Sequence, residues 1–444
     1  MDRHQHARSR RRSALMELGP LTEIRRDLHR HAELGFMEFR TASRVEDHLA
    51  GLPLTWRRGA EAIDLSQIAV LPEEAEQDFW AQAAIDAGVS RDRVDYFRRH
   101  GTALVAEIEG TRDGPIWAVR SDMDALPIAE SAQPEHRPQQ LDFRSRTPAM
   151  HACGHDAHTA IGIGLLHRLA ADRDFPGTVR VLFQPAEEGV RGARGMIAAG
   201  VLKGVDAMLA VHVLGDRPLG TLIGSVTGAM ATEKLRIRFR GRASHAAVSP
   251  EDGRNALIAA AMASLGIMSL PRFSAADTRL NVGTLHAGDN VNIVPETAEL
   301  TCEARAADDD VLTELIRRVR RVVEGVAHTQ EVDHDIAVVG ASCTISPTPS
   351  LVEEVLRAAQ HVEALQDRLP THFQPASDDM HLMVREVQDH GGRGAYINIG
   401  GASPGPHHSP TFDLEERFML DAVDVLEAVV RGRGDTEGPK GGDR

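Results

Sequence analysis

Between Ile116 and Val213, strand-length apolar runs alternate with helix-length segments, and this alternation constrains the fold more than any other feature. Ile116–Arg120, Thr178–Phe183 and Ala207–Val213 read as strands; Ala157–Ala171 and Ala193–Ala199 between them read as helices. Such alternation produces an α/β fold with a mostly parallel central sheet flanked by helices. Near Gly228 the pattern changes. Lys234–Arg240 alternates like a half-buried strand, Asn255–Leu270 is an apolar helix, and Leu280–Ala287 and Ala298–Ala306 are strands around a loop with Asp289-Asn290. Asp308–His328 is an amphipathic helix, with Asp308 or Asp309 as its cap, and Ile336–Val339 is a last strand. The order β-α-β-β-α-β is ferredoxin-like. It is complete within residues 228–340, which predicts an inserted α+β domain in a larger domain made of residues 1–227 and 341–430.

A chain of 444 residues exceeds one ordinary domain of roughly 100–200 residues, and 42% hydrophobic residues can bury a sizeable core. The 50 basic against 65 acidic residues give a net charge of −15, which argues against a nucleic-acid partner. No stretch approaches the roughly 18 apolar residues of a membrane span, so no membrane is expected. Lysine is nearly absent: Lys203, Lys234 and Lys440 are the only three. Three sparse cysteines, Cys153, Cys302 and Cys343, make no disulfide framework and predict a reducing, cytoplasmic setting, with Cys302 and Cys343 in the core. The basic segment Met1–Arg12 lacks a following apolar region, so neither signal peptide nor anchor is expected. The Gly-rich, charged residues 431–444 read as a disordered tail. Leu21–Leu52 has helical periodicity, and Ala60–Arg99 is acidic and helix-prone, with Phe79, Trp80, Tyr96 and Phe97 as packing anchors.

The chemistry is concentrated at strand ends. Met150-His-Ala-Cys-Gly-His-Asp-Ala-His158 sets three histidines, a cysteine and an aspartate in nine residues before a helix. Cys153 and His155 stand two apart, so on an extended loop they share a face. Thiolate with imidazole suits zinc, manganese or cobalt. The bland alternative is a His-rich surface loop with a buried cysteine. Other segments argue against it. Asp122 and Asp124 follow a strand, where open α/β sheets place their sites. Glu187 and Glu188 follow another; adjacent carboxylates can divide the work, one binding metal and the other acting as general base. His212 ends a third strand, and His407-His408 follow the loop Gly400–Gly405.

On these motifs the chain resembles the M20 family of metallopeptidases and amidohydrolases, in its aminoacylase/hippurate-hydrolase-like branch. The matching segments are Ser121–Pro127, His151–Ala160, Gln184–Gly189, His212, Gly241–Pro250, Asn292–Pro295 and His408–Glu416, nearly the whole chain. The resemblance implies that Cys153, His155, Glu188, His212 and His408 hold two divalent ions, manganese or zinc and also cobalt or nickel, with Cys153 bridging them. It implies that Glu187 is the general base and that Asp124 orients a ligand. In the inserted domain, which serves as lid and dimerisation unit, His245 would polarise the scissile carbonyl, and Asn292 and Arg305 would hold a substrate carboxylate. His245 completing a partner's site implies a homodimer; the alternative is a heteromer with a related chain.

The implied reaction is hydrolysis of an amide in a small carboxylated substrate. The likeness of the acidic segment Ala60–Arg99, of Gln184–Arg194 and of Gly228–Lys234 to members of that branch that hydrolyse p-aminobenzoyl-glutamate implies p-aminobenzoyl-glutamate as the expected substrate. The alternatives are other N-acyl or indoleacetyl amino acids, an aromatic amine to be deaminated, and a non-catalytic partner in a heteromeric hydrolase; the intact Glu187 argues against the last. One departure is Ser377-Asp-Asp379, where the family usually has Glu-Asp, so Asp378 enters as a lesser candidate. His407 leaves the C-terminal ligand open by one position. His151 and His158 read as helix-start or supporting residues, and Lys234 as a surface lysine on an edge strand rather than a reader of a second carboxylate.

Overall fold

The computed structural model describes residues 17–433. The basic segment Met1–Arg12 and residues 434–444 of the expected disordered tail lie outside the described residues. The strands in chain order are β1 (Thr55–Arg58), β2 (Leu104–Glu109), β3 (Arg112–Asp122), β4 (Pro176–Gln184), β5 (Ala207–Leu214), β6 (Thr221–Thr227), β7 (Ala231–Arg240), β8 (Thr278–Ala287), β9 (Thr297–Ala306), β10 (Asp333–Ser342), β11 (Asp367–Phe373) and β12 (Arg393–Gly400). They form an eight-stranded sheet, β1-β2-β4-β3-β5-β12-β6-β11, and a four-stranded sheet, β10-β7-β9-β8.

In the large sheet β4, β3, β5 and β12 run parallel side by side. β1, β2 and β6 add antiparallel pairings toward the edges, and β11 pairs parallel with β6. The apolar runs arise because both faces are covered. Along β5, Ala207, Leu209, Val211 and Val213 enter one core while Met208 and Ala210 enter the other. The first core is closed by helices Leu18–Arg30, His155–Ala171, Pro349–Ala359 and Phe418–Val430, the second by Gly192–Ala198 and Met380–Asp389.

The four-stranded sheet has the order and connections of a ferredoxin-like unit, entirely antiparallel. Only one face is apolar: Leu235, Ile237 and Phe239 of β7 and Leu300, Cys302 and Ala304 of β9 pack under helices Ala256–Met268 and Asp309–Gln330. Asn255 caps the first helix by accepting from Ile258 N–H (3.1 Å), and Asp308 caps the second by accepting from Val311 N–H (2.9 Å). The other face carries Lys234, Arg236 and Arg238 from β7, alternating with the buried positions.

The N-terminal part departs from expectation. The helical stretch Leu21–Leu52 is two helices, Leu18–Arg30 and Phe39–His48, because Phe36 adopts φ +66° and Glu33 accepts from the Arg40 and Thr41 N–H groups, both at 2.8 Å, to open the second. Of the four aromatic anchors in Ala60–Arg99, Trp80 and Phe97 are buried and Tyr96 half-buried, but Phe79 is 54% exposed. One residue from Trp80 on helix Glu74–Asp86, it points about 100° away and touches Trp80 only edge-on.

Candidate active site

Four neighbouring parallel strands deliver their C-terminal ends to one place. Gln184 ends β4, Asp122 ends β3, His212 lies near the end of β5, and Gly400 ends β12. The loops after β4 and β12 carry Glu187-Glu188 and His407-His408. His155 opens the helix His155–Ala171, directly after Gly154 at φ +89°, where a Cβ would sit 2.6 Å from Val213.

The expected ligands converge. Cys153 Sγ lies 3.4 Å from His212 Nε2, His408 Nε2 3.5 Å from Glu188 Oε2, and His155 Nε2 3.9 Å from Glu188 Oε1. Two ligand groups share the cysteine: Cys153, His155 and His212 in one, Cys153, Glu188 and His408 in the other. Within this buried cluster, neither ring nitrogen of His155 nor Glu188 Oε1 has a hydrogen-bond partner. Buried polar atoms left unpaired are costly. A cation would satisfy His155 Nε2 and Glu188 Oε1 together, while His155 Nδ1 faces Asp124 Oδ1, and the mix of thiol, imidazole and carboxylate is a divalent-metal donor set.

Supporting residues fix the cluster. Asp124, buried, accepts from Glu187 N–H (2.9 Å) and Glu188 N–H (3.0 Å), and its Oδ1 lies 3.4 Å from His155 Nδ1. The turn it holds is strained, with Ala186 at φ +55° and Val190 at φ +52°. A β-branched residue at positive φ is uncommon, and such strain gathers at functional sites. His158 accepts from Val213 N–H through Nε2 (3.0 Å), so its neutral ring donates through Nδ1 to Asp122 (2.7 Å). His212 donates through Nδ1 to Val213 O (2.8 Å), which leaves Nε2 bare toward Cys153. His407 accepts from Gly215 N–H through Nε2 (3.0 Å), so its proton sits on Nδ1, 3.7 Å from Cys153 Sγ. Among the described residues no such bond ties the His408 ring. His151 is buried with neither ring nitrogen paired.

The electrostatics suit a cation-binding site. Burial raises the Glu187 carboxyl well above its usual range, and Asp378 and Glu188 add to the effect. Burial pushes Glu188 up to about 7, against the pull of His155. Burial, then Glu188, raises the Cys153 thiol, so without a metal it stays protonated. Burial would raise Asp122 too, but Arg120, His155 and His158 hold it well below the usual range. Burial lowers both His212 and His408, which keeps them neutral with lone pairs free.

A cavity of about 500 Å³ opens onto the cluster, lined among others by Cys153, Glu187, Glu188, His212, His408, Arg305 and Lys234. Arg305 is held by Glu303 through two bonds (2.5 and 3.0 Å) and reaches Ser377 Oγ (3.4 Å). His245 and Asn292 are exposed and do not line the cavity, although Ala246 N–H donates to Asn292 O (3.0 Å) and brings the two loops together. Lys234 corrects the expectation of a surface lysine on an edge strand. β7 is an interior strand, so its polar face meets the cavity. Asp378 lines the cavity as well, buried, accepting from Tyr396 Oη–H (2.5 Å) and from Arg120 Nη2 (2.9 Å). Arg120 also bonds Asp122 and Gln184 Oε1 (3.0 Å). Arg120 and Tyr396 were missed by sequence reasoning. The one available signal was a lone arginine in the apolar strand before Asp122.

The model of peptidase family M20/M25/M40 matches residues 118–432. The chain belongs to this family. M20 relatives include the indole-3-acetyl-aspartic acid hydrolase of Enterobacter agglomerans, 40% identical over 92% of this chain and 94% of that protein. One of the subunits of the p-aminobenzoyl-glutamate hydrolase of Escherichia coli K12 is 37% identical over 91% of this chain and 94% of its own length. Among solved structures, the aminobenzoyl-glutamate utilization protein of Klebsiella pneumoniae superposes with a TM-score of 0.79 at 35% identity, covering 92% of this chain and 94% of that one. The Bacillus subtilis YXEP protein, a dinuclear metal-binding M20 peptidase, does so with a TM-score of 0.63 at 25% identity, covering 93% and 97%. The M20 chain described here is therefore an amidohydrolase with a site for divalent metal ions. No helix among its described residues is long and apolar enough to cross a membrane.

Proposed function

We propose that this enzyme cleaves the amide bond of a small N-acyl conjugate whose leaving group carries a carboxylate, with p-aminobenzoyl-glutamate and indole-3-acetyl-aspartate as the first substrates to test. The observation that carries the reading is that Cys153, Glu188, His212 and His408 of the ligand cluster line one cavity with Glu187 and Arg305. Cys153, His155 and His212 would hold one ion, and Cys153, Glu188 and His408 a second. Manganese or zinc suits these donors, with cobalt or nickel as substitutes. Bound ions of this kind polarise a carbonyl and make water acidic enough to attack at neutral pH. Glu187, whose carboxyl burial makes unusually basic, takes the attacking water's proton and returns it to the departing amine. Arg305 orients the substrate by its carboxylate, and Asp124 keeps Glu187 and Glu188 in register.

His245 and Asn292 reach no site within their own chain, which supports a homodimer in which they complete the partner's cavity; the alternative is a heteromer with a related chain. The surface around them is apolar: Val248, Val291 and Ile293 are exposed, and so are Ile258, Met262, Leu265 and Met268 along one stripe of helix Ala256–Met268. Mixing two inactive variants, His245→Ala and Glu187→Gln, is expected to restore activity through hybrid dimers carrying one intact site. Three reduced, buried cysteines fit a cytoplasmic location.

The test is turnover by protein loaded with manganese or zinc, on each conjugate and on its α-amide. Removing one partner of a charged pair costs about 2–5 kcal/mol, so the amide is expected to react roughly 30-fold more slowly or worse. Glu187→Gln is expected to abolish turnover with metal content intact. Equal cleavage of acid and amide, or loss of metal in Glu187→Gln with retention in Glu188→Gln, would refute these assignments.

A further inference from the structure

The four-stranded sheet offers two cations to the cavity, and they differ in what already occupies them. Arg305 is forked onto Glu303, which takes its Nε–H and Nη2–H at 2.5 and 3.0 Å. Lys234 is cross-strand from that same Glu303 in the β7–β9 register. Such neighbours normally pair. Here both carboxylate oxygens are already engaged by Arg305, and the Lys234 ammonium makes no hydrogen bond or ion pair among the described residues. It nevertheless lines the cavity and stands near enough to Glu188 and His408 to act on both.

The residue type is itself informative. The chain has three lysines and otherwise uses arginine for positive charge. An arginine at 234 would present a second fork to Glu303. An ammonium is a compact point charge on a flexible stem, which remains free to meet an incoming anion. Lys234 and Arg305 are diagonal neighbours across the strand pair, about 7–8 Å apart in backbone position, with flexible side chains that can close on two anions of one small molecule.

We propose that Lys234 is a specificity-determining residue that binds the side-chain carboxylate of an acidic amino-acid leaving group while Arg305 binds its α-carboxylate. This rests on the amide-hydrolase reading above and narrows its leaving group from any amine that carries a carboxylate to a dicarboxylic amino acid. Lys234 touches neither the scissile bond nor the proton path, so its contribution falls on the choice of substrate.

The test is calorimetric binding of p-aminobenzoyl-glutamate and p-aminobenzoyl-glutamine to manganese-loaded Glu187→Gln protein, with and without Lys234→Met, followed by kcat/KM for both conjugates in otherwise wild-type enzyme. The glutamate conjugate is expected to bind at least about 10-fold more tightly than the glutamine conjugate when Lys234 is present. In Lys234→Met that preference falls to near unity, and Lys234→Arg restores part of it. Equal binding of the two conjugates with Lys234 present would overturn the proposal. So would an equal loss on both in Lys234→Met, which would place the lysine in the chemistry, or no change on either. Tight, selective binding without cleavage by the wild type would overturn the hydrolytic reading and leave the role of Lys234 standing.

Discussion

Asp124→Asn separates the placing of the catalytic turn from its chemistry. Asp124 is 1% exposed, and each of its oxygens accepts one main-chain N–H, from Glu187 at 2.9 Å and Glu188 at 3.0 Å. Asparagine keeps the volume but replaces one acceptor with an NH2 group, which then faces a main-chain N–H. A hydrogen bond to a charged group contributes about 1.5–3 kcal/mol, and leaving the donor buried and unsatisfied costs about 1–3 kcal/mol. The two figures describe one broken contact and do not add, so a loss of about 1.5–3 kcal/mol is expected, concentrated in the strained turn Ala186–Val190. Since that turn carries both the proposed ligand Glu188 and the proposed base Glu187, metal affinity is expected to fall by about 10–100-fold. At saturating metal, kcat should still be reduced, because Glu187 remains misplaced. Metal affinity is read by chelator competition, and kcat is measured on the conjugate proposed above at saturating manganese. An Asp124→Asn enzyme with unchanged metal affinity and kcat would refute the idea that this carboxylate sets the turn.

Three other outcomes follow from the geometry. Burial and Glu188 keep the Cys153 thiol protonated without metal, so metal loading should expel its proton and apparent affinity should fall as pH falls; an indicator dye should register fewer protons released in Cys153→Ala but not in Cys302→Ala or Cys343→Ala, and equal release in all three would exclude Cys153 as a ligand. A Cβ at Gly340 of β10 would lie 2.2 Å from Gly189 O, beside the bond from Ala341 N–H to Val190 O (3.0 Å); Gly340→Ala should therefore cost about 1–3 kcal/mol of stability and lower kcat by shifting the Glu187 turn, and unchanged unfolding and kcat would count against that coupling. His29 is buried, and although burial opposes its charge, bonds to Asp156 (2.8 Å) and Glu130 (3.1 Å) raise it to about 9. A raised pKa contributes stability that is complete below the unfolded value of about 6.5 and lost as pH rises through the folded value; the stability gap between wild type and His29→Gln should thus shrink by up to a few kcal/mol between about pH 6.5 and 9, and a gap in denaturant unfolding that stays flat or widens would contradict the sign.

How far the sequence could be read depended on whether a residue's role is set by its own strand or by the strands beside it. β3, β4 and β5 were legible because burial on both faces makes continuous apolar runs, and β7 and β9 because burial on one face makes alternation. β1, at four residues, and β11, exposed along nearly its whole length, carry neither pattern. β6 and β12 are buried but fell in stretches read only as a change and a resumption of pattern. Asp122, Asp124, Glu187, Glu188 and His212 stood out as candidates because each lies at or just past the end of a recognisable strand, and Cys153 and His155 because they crowd the start of a helix; parallel strands bring such ends together whatever their order. Sheet order was not legible, and it decides the rest. Arg120 meets Asp378 and Tyr396 only because β12 lies beside β5 and the start of helix Met380–Asp389 comes to the same edge. Lys234 was read as a surface residue because an alternating strand looks the same at the edge of a sheet as inside it. Placed between β10 and β9, β7 turns that lysine toward the cavity and the proposed metal ligands, opposite a glutamate that another cation has already taken. Its charge was visible in the sequence; that no hydrogen bond or ion pair takes it up among the described residues was not, and that is what leaves it, in the proposal above, for an anionic substrate.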